Sequence, residues 1–289
     1  MNAKRRRLQS RVLRLCVYAA GACTLGVLLM LVVYILVKGL PHLTPELFSL
    51  HYNSENVSLF PALVNTVTMT LLSLLIAAPL GVFSAVYLVE YAKRGNKFVS
   101  VVRITAETLS GIPSIVYGFF GFLMVVIALD WGYSLLAGAF TLAIMILPVI
   151  MRTTEEALKS VPDSYREGSF GLGAGKLRTV FRIVLPAAMP GILAGIILSV
   201  GRIVGETAAL IYTAGTVAQI PDSLMGSGRT LSVHMYSLWS EGLNTDQSYA
   251  TAVVLLVIVA SLNALSSAAA KRLTGQKKER KKARCTQQK

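Results

Sequence analysis

The chain has 289 residues, 54% hydrophobic and only 15% charged, with a mean hydropathy of +0.62 and a formal net charge of +14. Soluble domains carry about 25% charged residues, so an ordinary soluble globular domain is excluded. A charge of +14 would suit a nucleic-acid binder, but its placement along the chain points elsewhere.

The apolar residues fall into six runs, roughly Val12–Val37, Ala62–Val89, Ile112–Leu129, Tyr133–Met151, Ala187–Thr213 and Ala250–Ala270. A bilayer span needs about 20 such residues, which predicts an all-α integral membrane protein with six transmembrane helices. The first run is too long for the apolar region of a signal peptide and no small-residue cleavage site closes it, so it reads as a retained span. Lys4, Arg5, Arg6, Arg7, Arg11 and Arg14 stand at its start, and Cys16 and Cys23 within it have neither disulfide nor metal-site spacing to Cys285 in the tail. The 38–61 connection carries Pro41, Pro45 and Pro61 and reads as an external cap; its Asn56-Val57-Ser58 glycosylation pattern is too short to weigh.

Pro79 and Gly81 interrupt the second run, and "SGIPSIVYGFFGF" opens the third. Ser110, Gly111 and Pro113 mark a helix break there, which a membrane tolerates only where protein or a watery cavity satisfies the freed backbone. The break either kinks a helix inside the bundle or lines a pathway. Gly191 with Gly195, and Gly201 with Gly205, have the small-xxx-small spacing of close helix contacts. The 214–249 connection holds a turn at "MGSGRT", a lone histidine at His234 with no second metal ligand nearby, and Tyr236 and Trp239, which suit a membrane–water boundary.

Of the 28 lysines and arginines, 25 lie before the first span, after the second, after the fourth and after the sixth; the alternate loops hold only Lys38 and Arg229, and Arg202 is the last. That alternation is the positive-inside pattern, so both termini are expected in the cytoplasm. The expected organisation is a basic N-terminus over 1–11, a six-span domain over 12–271 and a basic tail over 272–289 that anchors topology against anionic lipid.

The cytoplasmic 152–186 loop is the most polar stretch between spans. Its Gly171, Gly173 and Gly175 lack the preceding strand and following acid of a dinucleotide site, and no phosphate-loop motif occurs anywhere, so no nucleotide cofactor is expected on this chain. The loop reads as helix, break, helix: the fourth span runs on through Glu155–Leu158, Pro162 opens a short helix, residues 168–175 break it, and a basic amphipathic segment resumes at Lys176.

Within it, Glu167-Gly168-Ser169, then Gly173, then Ile183-x-Leu185-Pro186 resembles the EAA loop of ABC-importer permeases, with Gly168 and Ser169 in place of two alanines. The resemblance implies a type I ABC-importer permease fold and assigns Glu167, Gly168, Ser169, Gly173, Ile183, Leu185 and Pro186 to coupling with a separate ATPase subunit.

Arg202 and Glu206 lie inside the fifth run. A charge at mid-bilayer costs about 2.5–3.5 kcal/mol on insertion scales, so the two need a reason. Four residues apart, they share one face of a continuous helix, either as a mutual ion pair holding the bundle or as a substrate relay in which Arg202 meets an anion. Arg103 with Glu107 and Arg152 with Glu156 have the same spacing at the cytoplasmic edge and read as local salt bridges. "GRIVGETAAL", "LSGIPSIVYGFFG" and "RTLSVHMYSLWSEGL" together resemble the permeases of the phosphate-specific transport (Pst) system, the PstA type more than the PstC type. That resemblance implies a non-enzymatic subunit of a bacterial inner-membrane phosphate importer, beside a PstC-type permease, two cytoplasmic ATPase subunits that use the ATP, and an external phosphate-binding protein. A permease for another oxyanion, a secondary anion transporter and a non-conducting scaffold remain the alternatives.

Overall fold

The structure is a computed structural model that describes residues 3–93 and 95–287; of 3–9, 266 and 269–287 the backbone alone is described, so Arg94 and the side chains of the basic N-terminus and tail, Cys285 included, lie outside it. All regular structure among the described residues is helical. Five helices are long and apolar enough to cross a membrane, and a bent helix pair supplies the sixth candidate.

The first helix, α1 (Ala3–Gly39), leads through two short 3-10 turns (Leu40–His42 and Pro45–Phe48) to α2 (Phe60–Val86). Cys16 and Cys23 are free and exposed along α1. The cap between α1 and α2 is pinned by Leu47 and Leu59, buried with Leu231 and Ala250, and by the Ser58 hydroxyl, which donates to the Leu47 carbonyl at 3.2 Å. Next, α2 passes Pro79 without breaking and runs into a wider π turn, Tyr87–Tyr91.

A second helix pair follows. The Asn96 side chain accepts from the Phe98 N–H and starts α3 (Lys97–Ser110). Phe98, Val101 and Ile104 are exposed along one side of α3, as in a helix lying at a membrane surface. After Gly111-Ile112-Pro113 the chain turns by 103° into α4 (Ser114–Gly121), which widens into a π turn at Phe122–Ala128. Pro113 supplies no N–H and disfavours helical backbone at Ile112, which fixes the break where "SGIPS" predicts it. The third apolar run is therefore no straight span. It begins at Ser114, and at 1.5 Å per residue its eight α and seven π residues reach only about 22 Å, short of the ~30 Å hydrocarbon core.

The central helix is α5 (Leu135–Lys159), capped by the Ser134 hydroxyl accepting from the Ala137 N–H. It carries the fourth apolar run on through Glu155–Leu158 as one helix, as predicted. After α6 (Asp163–Gly171), the chain resumes as α7 (Lys176–Thr179), a π turn (Val180–Val184) and α8 (Leu185–Val204), one continuous apolar rod from Lys176. The break in the cytoplasmic loop is tighter than predicted: α6 runs through Gly168 to Gly171, and only 172–175 are non-helical. Gly173 takes φ +81°, a conformation only glycine adopts freely.

The fifth predicted run also breaks. α8 stops at Val204, and α9 (Ala208–Ile211) is a separate turn. The 214–249 connection then forms α10 (Leu231–Glu241), ended by Gly242 at φ 72°, and α11 (Thr245–Gln287) follows. In α10, Tyr236 and Trp239 are exposed, Trp239 edge-on to Tyr249 at 5.7 Å.

Lipid tails are as apolar as leucine, so close packing, not water exclusion, holds such helices together. α5 supplies it, with 67% of its most apolar stretch buried against 0% for α1. Met69 and Ala77 of α2 meet Leu142, Met145, Ile146 and Ile150 of α5. Gly81 lets α2 approach Ile150, and Gly191 and Gly195 let α8 cross α5 over Ala157 and Thr153. The other predicted pair does not pack: a Cβ on Gly201 would meet nothing within 4 Å. At Gly118 a Cβ would lie 2.8 Å from the Ala209 Cα, so α4 rests on the α9 backbone. Gly118→Val should therefore destabilise the purified protein by about 1–3 kcal/mol in thermal unfolding, whereas Gly201→Ala should leave the transition in place.

Candidate functional site

Arg202 occupies the last turn of α8 and is half-buried. It lines a cavity of about 390 Å³ together with Val149 of α5, Leu198 and Gly201 of α8, and Val259 and Asn263 of α11. The unpacked Gly201 is what leaves this space open beside the guanidinium. Among the described residues no carboxylate lies within 4 Å of Arg202.

Glu206 does not share a helix face with Arg202, because the helix ends between them. The Gly205–Thr207 break turns Glu206 inward, where it is 8% exposed. Its Oε1 accepts from the Ala209 N–H at 3.1 Å, capping α9, while its carbonyl accepts from the Ser232 hydroxyl of α10. The mutual ion pair, one of the two readings the spacing left open, is absent, and Glu206 acts as a clip between α9 and α10. Sequence spacing alone could not show this, since glycine at 205 is equally compatible with a continuous membrane helix.

The second break, at Ser110, Gly111 and Pro113, ends α3. The Ser110 hydroxyl donates back to the Ala106 carbonyl at 2.9 Å, so it completes its own helix end. Tyr117, one turn into α4, donates to the Leu109 carbonyl at 2.8 Å and ties the two arms of the bend together.

On the predicted cytoplasmic side, α6 presents Glu167 and Gly168 to solvent, with Tyr165, Phe170 and Leu172 exposed around them. A Cβ on Gly168 would meet nothing, so glycine stands here without any packing need. Ser169 is different: it is buried, and its hydroxyl pairs with that of Thr179 at 2.8 Å, joining α6 to α7. Ile183 and Leu185 are half-buried and Pro186 is exposed, all in the rod that leads into α8.

The sequence reading missed what holds α6 in place. Arg166 is an anchor whose Nε and Nη2 reach Glu90 at 3.1 and 2.7 Å, and whose Nη1 and Nη2 donate to the Val161 and Leu158 carbonyls at 2.8 and 3.0 Å. One guanidinium thus ties α6 to the π turn of α2 and to the C-terminal end of α5. Lys176 adds a cation–π contact, 5.1 Å above the Tyr91 ring. Arg152 pairs with Glu156 at 3.3 Å as the spacing predicts, but Arg103 does not pair with Glu107. Its Nε and the Lys159 Nζ converge on the buried Glu155 at 2.7 and 2.6 Å, joining α3 to α5. Partners 76 residues apart, such as Glu90 and Arg166, leave no local signature.

On the opposite side, His234 lies on α10, outside the candidate spans, and is fully buried. Burial, then the Arg229 charge, lower its pKa to about 3 against a weaker opposing pull from the Val57 backbone.

The fold and these sites define a multi-pass helical transport permease with an ordered polar loop on one side. A family model described as the binding-protein-dependent transport system inner membrane component matches residues 77–275, and the chain belongs to that family. It is similar to the phosphate transport system permease protein PstA 1 of Mycobacterium tuberculosis, 37% identical over 210 residues that cover 71% of this chain and 67% of the relative. It is also similar to the probable ABC transporter permease protein YqgI of Bacillus subtilis, 38% identical over 197 residues, 64% of this chain and 67% of that one. In fold it resembles a bacterial ABC transporter involved in import of the acidic polysaccharide alginate, with a TM-score of 0.63 and 20% identity over 90% of this chain and 98% of that one. The inward-facing MetNI methionine ABC transporter gives a TM-score of 0.56 and 19% identity over 83% and 96%.

Two outcomes follow. Breaking a buried ion pair costs about 3–5 kcal/mol, so Arg166→Met should speed amide hydrogen exchange across 163–171 well beyond the rest of the chain, and Glu90→Gln should do so less. Because His234 is neutral when folded and titrates near 6.5 when unfolded, its contribution to stability is complete above pH 6.5 and is lost as pH falls toward 3. His234→Gln should flatten the fall in melting temperature between pH 7 and 5.

Proposed function

We propose that this chain is a permease subunit of an ATP-driven importer that moves inorganic phosphate into the cytoplasm by alternating access. The observation that carries the proposal is Arg202, a permanently charged fork of donors beside an open cavity, with no carboxylate within 4 Å among the described residues to neutralise it. The similarity to PstA permeases at 37% identity supports phosphate as the anion.

In this reading the chain stands beside a PstC-type permease, an external phosphate-binding protein delivers the anion to the outer connections, and two cytoplasmic ATPase subunits bind and hydrolyse the ATP. This chain itself holds no nucleotide or other cofactor. The exposed face of α6, with Glu167 among Tyr165, Phe170 and Leu172, is the surface offered to an ATPase subunit. Glu167, Gly168, Ser169 and Gly173 shape that surface, and Ile183, Leu185 and Pro186 carry its motion into α8. Arg166 extends the same motion to α2 and α5 through Glu90 and the two α5-end carbonyls. The broken backbones at 111–113 and 205–207 are the points where α4 and α9 can swing while α5 stays fixed. Arg202 then offers the passing anion a transient positive site, and Glu206 keeps the break beside it folded.

Arg202→Gln should reduce labelled phosphate uptake at micromolar phosphate at least tenfold in cells lacking the native gene, with the complex still assembled; unchanged uptake would remove Arg202 from the pathway. Glu167→Lys should leave membrane insertion intact and lower both ATPase co-purification and uptake. Normal values of both would rule out docking at α6.

A further inference from the structure

Arg229 is a second arginine with no carboxylate within 4 Å among the described residues, and it is far more enclosed than Arg202. It lies in the external 214–230 connection just before α10 and is 4% exposed. Its backbone is fixed on both sides: the Arg229 N–H donates to the Val217 carbonyl at 2.9 Å, and the Asn65 amide donates to the Arg229 carbonyl at 3.2 Å. The same Asn65 amide donates to the Gln219 carbonyl at 2.8 Å, which settles its orientation and leaves Oδ1 as a buried acceptor. Tyr52, from the external cap, lies under the guanidinium at 4.9 Å from Cζ and edge-on to His234 at 6.2 Å. Three separate segments thus hold one cation in place.

What they do not supply is a counter-charge. Arg229 Nε and Nη2 are buried and make no hydrogen bond, and neither nitrogen of His234 makes a well-formed one. Among the described residues no carboxylate comes within 4 Å of Arg229. Arginine cannot escape by losing its proton. A tyrosine face offsets only part of the cost of burying a charge. A preformed, unpaired Nε–Nη2 fork beside a buried imidazole is donor geometry that suits a small oxyanion, which can accept two parallel hydrogen bonds from the fork.

We propose that Arg229, with His234 beside it and Tyr52 beneath it, forms an outer oxyanion subsite. It holds the anion on the external side before Arg202 receives it. The identity of that ion as phosphate rests on the function proposed above; the subsite itself rests on the Arg229 cluster. A carboxylate from a docked protein is the less suitable occupant, since Arg229, His234 and Asn65 are 4%, 0% and 1% exposed and a side chain would have to enter with its backbone behind it.

The test uses the full chain, purified with the subunits that accompany it and placed in lipid nanodiscs. Melting temperature is followed against sodium phosphate, sulfate and chloride at matched ionic strength. Phosphate should raise it by about 5 °C at saturation. Arg229→Gln should abolish the rise and Arg152→Gln, at an exposed arginine paired with Glu156, should keep it. If Arg229→Gln does not fold, Arg229→Lys, which keeps the charge and loses the fork, should need at least tenfold more phosphate for the same rise. A rise that survives in Arg229→Gln overturns the proposal. So does a rise that appears only when the external binding protein is added without anion, which would make a partner carboxylate the occupant. An Arg229-dependent rise with sulfate and not phosphate would uphold the subsite and count against phosphate as the cargo; phosphate uptake that persists while no anion acts through Arg229 would do the reverse.

Discussion

The contact on which the rest depends is the close approach of α5 to α2 and α8. In a bilayer no water-exclusion term pulls apolar helices together, so the gain must come from surfaces that fit at short range. Gly81, Gly191 and Gly195 remove the side chains that would hold the helices apart, and Ile150, Ala157 and Thr153 fill the space. Once α5 is fixed in that way, everything less regular is arranged around it: the bent α3–α4 pair, the α8–α9 break and the external connections. The 214–230 stretch even completes the start of α5, with the Gly226 and Leu224 carbonyls accepting from the Leu135 and Leu136 N–H groups at 3.0 Å each.

A rigid centre allows the irregular parts to be irregular. Among the described residues the three π turns lie at Tyr87–Tyr91, Phe122–Ala128 and Val180–Val184, two of them beside α6. A π turn inserts an extra residue into a helix and exposes backbone carbonyls that an α-helix would consume, and such turns gather at functional places. Here one of them carries Glu90, the partner of Arg166, and another joins the Thr179 contact to α8. The polar loop is therefore bolted at both ends to helix segments that are already unwound by one residue.

Much of this was legible in the sequence. Run length located the candidate spans, and Pro113 and Gly173 announced a break and a turn through backbone chemistry that needs no tertiary context. The α6–α7 pattern was readable for the same reason. What failed was inference from spacing across a possible helix end. Arg202 and Glu206 look like neighbours only if Gly205 continues the helix, and Arg103 with Glu107 only if neither finds a better partner; Glu155, buried on α5, was the partner Arg103 found. The Arg166–Glu90 and Arg229–Tyr52 contacts join segments far apart in the chain, and no periodicity encodes them. Ser169 stood out as a departure from the expected alanine, and its reason, the hydroxyl of Thr179, became visible only in three dimensions.

The most weakly held long helix has a consequence of its own. Among the described residues nothing covers the apolar stretch of α1, and the helix packs chiefly on α11 near its C-terminal end, where Gly39 meets the Tyr249 backbone. Its span candidate, Ser10–His42, has 33 residues, about 50 Å of helix against a hydrocarbon layer of ~30 Å. Such an excess is absorbed by tilting the helix or thickening the surrounding lipid. With its packing concentrated on α11, α1 is the long helix whose tilt is left freest to follow the thickness of the membrane that hosts it.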